Sequence, residues 1–240
     1  MKKLFLLLLV LPIAGNAQLK GLVKKASEKV NAVTKNNGTV DIAAGLKEAL
    51  NKGVSEQVSK LTAVDGFYKN EAVKILMPEE LQKVDKALRK MGMGKLADDG
   101  IKALNRAAED AVKEATPIFV DAIKNMTVKD AKNILMGSDN AATTYLQGQT
   151  TTPLYAKFNP IVKQSIGKVG ADVIWESIIK KYNAIPLVTK VNPDINDYVT
   201  NKALDGVFTM ITVEEKNIRN NLESRTSDLL RKVFAMQDQN

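Results

Sequence analysis

Three adjacent acidic pairs, Glu79-Glu80, Glu109-Asp110 and Glu214-Glu215, are the groups in this sequence best suited to proton transfer, because histidine and cysteine are both absent. Without imidazole or thiol there can be no histidine- or thiolate-ligated metal, no Ser-His-Asp triad and no thiolate nucleophile. Any reaction would have to run on carboxylate, lysine, tyrosine or a hydroxyl. Neighbouring residues on a helix point about 100° apart, so no such pair is a two-carboxylate site by itself. A carboxylate-dependent hydrolytic site would need Glu215 to meet Glu109 or another acid across the fold, with Tyr145 or Tyr198 nearby. The competing reading is a buried ion pair of Glu215 with Arg219 one turn on, or with Arg225 beyond the helix end. The ion pair is favoured, since arginine is close and buried charge is normally paired.

Other motifs carry less chemistry. Ser165-Ile166-Gly167-Lys168 has the spacing of a Ser–Lys nucleophile but ends a helix and lacks companion motifs. Gly92-Met93-Gly94 follows a helix, not a strand, so it gives no dinucleotide signal. Ser138-Asp139-Asn140 reads as a helix cap and lacks the ladder of a calcium loop. Asn105 lies near an apolar helix face, Glu109 at its margin and Arg106 outside it; a buried asparagine there is a structural hydrogen bonder before it is a ligand contact. Basic residues are scattered among acids with no aromatic platform, which argues against nucleic acid. No metal or cofactor is expected.

The elements that must position these residues are helices. Glu215 falls within roughly 20° of the centre of the stripe made by Leu204, Val207, Phe208, Ile211 and Ile218, where a lone carboxylate is costly. Asp41 is expected to cap a helix bearing Ile42, Leu46, Ala49, Leu50, Val54 and Leu61. Pro78 with Glu79 and Glu80 opens another, which Gly92 stops. Ile101, Leu104, Ala108, Val112 and Ala115 mark a third, expected from about Lys95 to Ala115. Thr116-Pro117 restarts the chain with Phe119, Ala122, Ile123 and Met126 inward, leaving Asp121 as a solvated charge. Thr127 and Asp130 form a capping box. Thr152-Pro153 is expected to begin a separate helix with Leu154, Phe158, Ile161 and Val162, bent or broken at Pro160. Trp175 reads as a core anchor beside Ile174, Ile178, Ile179 and Tyr182 on a strongly buried helix. Leu187-Val188-Thr189 could be a short extended piece, and Leu229, Leu230, Val233 and Phe234 should dock a last helix. No period-2 strand series or internal repeat occurs. The expected fold is all-α, an irregular multi-helix bundle of about eight to ten helices of uneven length.

Residues 1–17 carry Lys2 and Lys3, an apolar stretch and then Gly15-Asn16-Ala17, the pattern of a secretory signal peptide cut before Gln18. Periplasmic export of a soluble chain is the expectation. Lys2 and Lys3 leave with the leader while all 27 acids stay, which lowers the formal charge from +8 to +6. Residues 18–40 then form an amphipathic helix and turn, with Leu19, Leu22, Val23, Ala26, Val30 and Val33 on one side among four lysines. Its lack of aromatics favours a peripheral helix over a membrane-surface or scaffolding contact, though such a contact through Leu19 to Val33 is the alternative. Residues 41–240 are expected to be one helical domain.

The ordered motifs are similar to a bacterial family, domain of unknown function 4197. They include Gly45-Leu46-Lys47-Glu48-Ala49-Leu50, Asp65-Gly66-Phe67, Asn105-Arg106-Ala107-Ala108-Glu109 and Ile118-Phe119-Val120-Asp121-Ala122-Ile123. They continue in Ala141-Ala142-Thr143-Thr144-Tyr145, Tyr198-Val199-Thr200, Ala203-Leu204-Asp205-Gly206-Val207-Phe208, Glu214-Glu215-Lys216-Asn217-Ile218-Arg219 and Arg225-Thr226. The resemblance runs from about Gly45 to Phe234. It departs at Met77, where leucine is usual, and at Asn220-Asn221, in place of Asn-Pro. It implies an exported, largely helical protein and supplies no catalytic residues. The residues alone point to a binding or interaction domain for a partner or an apolar, lipid-like or amphipathic ligand, with the Glu215-centred hydrolase as the alternative.

Overall fold

Apolar residues recurring every three or four positions become buried helix faces along the chain. The computed structural model describes residues 41–238 apart from 79–81, 91, 93, 169, 171, 174, 175, 177, 178, 181, 182, 185, 188, 189, 191, 193 and 226. The expectations for the leader, the helix from Leu19, Glu79, Glu80, Trp175 with Ile174, Ile178 and Tyr182, and the extended piece at 188 and 189 lie outside the described residues, while Ile179 is buried as expected. Those described carry helices and no strand, so the class is all-α.

Helix α1 (Ile42–Thr62) opens at Asp41, whose carboxylate accepts from the Ala44 amide at 2.9 Å, and buries Leu46, Ala49, Leu50, Val54 and Leu61. Helix α2 (Gln82–Lys90) stops at Gly92, whose φ of +76° favours glycine. Helix α3 (Gly94–Val112) buries Ile101, Leu104, Ala108 and Val112, and with them Asn105 and Glu109. Helix α4 (Ala115–Asn125) takes Ala115 from the expected end of α3, which stops at Val112, and so starts earlier than Thr116-Pro117 suggests, with Glu114 at the cap position and no side-chain bond there. Pro117 thus sits inside the first turn, where its missing N–H costs no helical bond. Helix α5 (Val128–Leu135) opens with the expected reciprocal box of Thr127 and Asp130.

Helix α6 (Ala141–Gly167) corrects the expectation of a new helix at Thr152-Pro153 and a break at Pro160, because it runs through with both prolines inside. The prolines lie two turns apart on the exposed side, where water can serve the carbonyls they leave free. On the opposite side Leu146, Leu154, Phe158, Val162 and Ile166 are buried, and that continuous stripe outweighs the lost bonds. The merger removes one expected break and lowers the helix count accordingly.

Helix α7 (Ile195–Asn220) is the central element, packed against α1, α3 and α6. It runs antiparallel to α6: its start meets α6 where Tyr155 bonds Asp197, and its end where Thr143 bonds Glu215. A single 3-10 turn (Leu222–Ser224) follows, then α8 (Asp228–Phe234), capped by Ser227 and docked on α1 through buried Leu230, Val233 and Phe234, with Leu229 half-buried. Phe119 of α4 meets Phe208 of α7 edge to face at 6.0 Å, tying the outer helix to the central one.

Candidate functional site

Glu215 sits on the buried stripe of α7 with 7% of its surface exposed. Its carboxylate reaches the first turn of α6. Oε1 accepts from the Ala142 amide, and Oε2 from the Thr143 amide and hydroxyl, each at 2.8 Å. First-turn amides have no helical acceptor and stand at the positive end of the helix dipole. Glu215 is therefore the N-terminal cap of α6, supplied by another helix. This corrects the capping expectation for Ser138-Asp139-Asn140. Asn140 holds the cap position but makes no cap bond, and its Oδ1 instead accepts from the Ser138 hydroxyl at 3.0 Å.

Arg219, one turn on, donates to Glu215 Oε1 from Nε at 3.0 Å and from Nη2 at 2.9 Å. The same guanidinium donates to the Ile134 carbonyl at 2.7 Å and to the Leu135 carbonyl and Gln237 Oε1 at 3.0 Å. Ile134 and Leu135 end α5, where carbonyls lack helical donors and the dipole is negative. One ion pair thus complements the end of α5 and the start of α6 at once. Arg225 lies beside this pair without bonding Glu215. It donates to the carbonyls of Ile218 at 3.1 Å and Arg219 at 2.8 Å, closing the end of α7, and to Asp238 Oδ1 at 2.9 Å. Those bonds hold the Asp238 carboxyl below its ordinary pKa. The Phe234 ring lies 5.9 Å from the Arg219 guanidinium carbon and 5.5 Å from that of Arg225.

A second cluster holds the connection between α1 and α2. Asn105 Oδ1 accepts from the Ile75 amide at 2.8 Å, and its Nδ2 donates to the carbonyls of Ile75 at 2.8 Å and Ile101 at 2.7 Å. One turn on, Glu109 Oε1 accepts from the amides of Phe67 at 3.1 Å and Tyr68 at 3.4 Å. Arg106 pairs with Glu109 Oε2 and with Asp65, whose φ of 68° turns the chain. The Tyr198 hydroxyl donates to the Leu76 carbonyl at 2.8 Å. Asn105, Glu109 and Tyr198 therefore act together on one irregular segment, whose buried backbone groups need partners. The two carboxylates are not brought together. Glu109 fixes Phe67, which packs on Gly206, and Glu215 lies nine residues further along α7, about 13 Å on.

Tyr145 belongs to neither cluster. It lines a cleft of about 710 Å³ between α4, α5 and α6. Glu114, Pro117, Ile118, Asp121, Ala122 and Asn125 form one face of this cleft, spaced by three and four along α4 and its cap. Tyr145, Gln149, Pro153 and Lys157, every fourth residue of α6, form the other, and Asp130 of α5 contributes the remaining carboxylate. Burial, followed by the charge of Asp130, raises the Tyr145 phenol above its ordinary pKa. Asp130 is itself held low by hydrogen bonds from Thr127. Three carboxylates against one ammonium make this cleft acidic in a chain of formal charge +8. Asp121, expected as a solvated charge, is exposed and also forms part of the cleft wall.

Residues 36–235 match the family described as a protein of unknown function, DUF4197. The chain belongs to this family. No curated protein and no solved structure matches it. In this DUF4197 chain the sequence pattern overlooked several residues of the two clusters and the cleft. Thr143 and Asp238 bond partners 72 and 13 residues away, which periodicity does not register. Arg106 lies off the apolar face yet joins Asp65 to Glu109. The cleft residues did carry a signal, since Tyr145, Gln149, Pro153 and Lys157 repeat at the spacing of one helix face.

Proposed function

We propose that this DUF4197 protein is an exported, non-enzymatic binding or interaction domain whose ligand seats in the cleft between α4 and α6. The observation that carries this reading is the division of polar groups between two uses. Asn105, Glu109, Glu215, Arg219 and Arg225 all bond backbone groups and so hold helix ends and a loop in place. Glu215 accepts from three groups of α6 and two nitrogens of Arg219, which fills the directions a substrate proton would need. The cleft, by contrast, is open, and its volume lies in the range of small-molecule sites. Pro117, Ile118, Ala122 and Pro153 give it apolar surface between polar groups, which suits an amphipathic ligand.

Export rests on the leader-like residues up to Ala17. Among the described residues no helix is long and apolar enough to cross a membrane. The mass of the protein recovered from the producing cell's envelope fraction tests that part, with a chain beginning at Gln18 expected. Native mass spectrometry of the full chain after incubation with a lipid and metabolite extract tests the binding part. A retained small-molecule mass is expected, and repeated recovery of bare protein overturns the reading.

A further inference from the structure

We infer that the cleft between α4, α5 and α6 takes a linear aliphatic amine, with ammonium groups on its carboxylates and a methylene stem along its apolar wall. This rests on the binding reading above. Among the described residues the side chains of Glu114, Asp121, Asn125 and Gln149 have no hydrogen bond or ion pair within the protein. Asp130 uses one oxygen, Oδ2, for both its bonds from Thr127, which leaves Oδ1 for a ligand. Pro153 has no N–H, so the Gln149 carbonyl on the same wall lacks its helical donor. The cleft thus offers acceptors in excess and one ammonium, that of Lys157, and it calls for a ligand rich in N–H donors and positive charge.

The spacing selects the ligand's shape. Glu114 and Asp121 stand two turns apart along α4, about 10 Å, with Ile118 between them. That separation suits two ammonium groups joined by a flexible hydrocarbon chain. The half-buried Tyr145 on the α6 wall adds an aromatic ring to the lining, a group that attracts cations. A metal ion would need oxygens that converge, and no group of three or more acidic side chains among the described residues is so arranged. A formal charge of +8 gives a polycation no long-range attraction to the chain, so binding should come from the local acidic groups of the cleft.

The test is a titration of the full chain with spermidine, followed by amide NMR at low ionic strength. Saturable shifts confined to residues around Asp121, Asn125, Tyr145 and Gln149 are expected, weakening as salt is raised. The double variant Glu114→Gln/Asp121→Asn, both exposed positions, should weaken binding about threefold to tenfold. Asp139→Asn, an exposed acid that does not line the cleft, should leave affinity unchanged. Equal affinity in the double variant, or shifts spread over acids elsewhere, overturns the inference. Shifts with decanoate or octyl glucoside but none with spermidine overturn the amine while sustaining the binding reading. No cleft shift with any of the three probes also overturns the inference, and the extract experiment then decides the binding reading by itself.

Discussion

Glu215 occupies a stripe position where leucine would serve α7 alone, and its charge makes sense only once α5 and α6 are in place. Replacing a buried pair with apolar residues is often neutral, but here both members also hold orphan backbone groups. Glu215→Gln should therefore cost about 3 kcal/mol in chemical denaturation, and Glu215→Leu/Arg219→Leu should not recover the loss. A hydrolase centred on Glu215 would instead lose activity in Glu215→Gln at unchanged stability. Asn105→Ala should cost about 2 kcal/mol by the same measurement, because the amide and carbonyl of Ile75 lose their partner. The Asp238 carboxyl is depressed by Arg225, so its contribution is present above the ordinary aspartate pKa and fades as pH falls through the lower folded value. Asp238→Asn should thus melt below the wild type at neutral pH, and the gap should close in acid below about pH 4. The misfit of Glu215 and the nearness of Arg219 were legible from helical spacing. The amides of Ala142 and Thr143 were not, since a contact across 72 residues leaves no periodic trace.

At the scale of elements, the structure turns on how closely helices and the 65–76 segment approach. A Cβ added at Gly206 would stand 2.6 Å from Phe67 Cε1, a ring with 0% exposure. Gly206→Ala should therefore destabilise the fold by about 1–3 kcal/mol in thermal denaturation, and Phe67→Leu in that background should return part of the loss. At Gly45 an added Cβ would overlap Val233 Cγ2, so the missing side chain lets α8 lie close against α1 at that point. The start of α1, the stop after α2 and the box opening α5 were readable because each depends on residues within one turn. The continuity of α6 through Pro153 and Pro160 was not. Proline disfavours a helix locally, and only the burial of Phe158 and its neighbours against other helices decides that the helix continues.

For the whole molecule, residues 41–240 form a unit that buries its own core of residues from α1, α3, α4, α6 and α7. A chain beginning at Asp41 should keep its helical circular dichroism and melt in one cooperative step; a broad or absent transition would show that residues 1–40 are needed. The residues alone determined that the protein is all-α, that chemistry based on imidazole or thiol is excluded, and that it resembles its family. These follow from composition and from short-range periodicity, which the chain carries whatever its final shape. Only the tertiary structure decided that Glu215 and Glu109 serve separate backbones and that Tyr145 faces an acidic cleft. Which distant amide or helix face meets a given side chain depends on how the helices pack, and one carboxylate at one position is compatible with many packings.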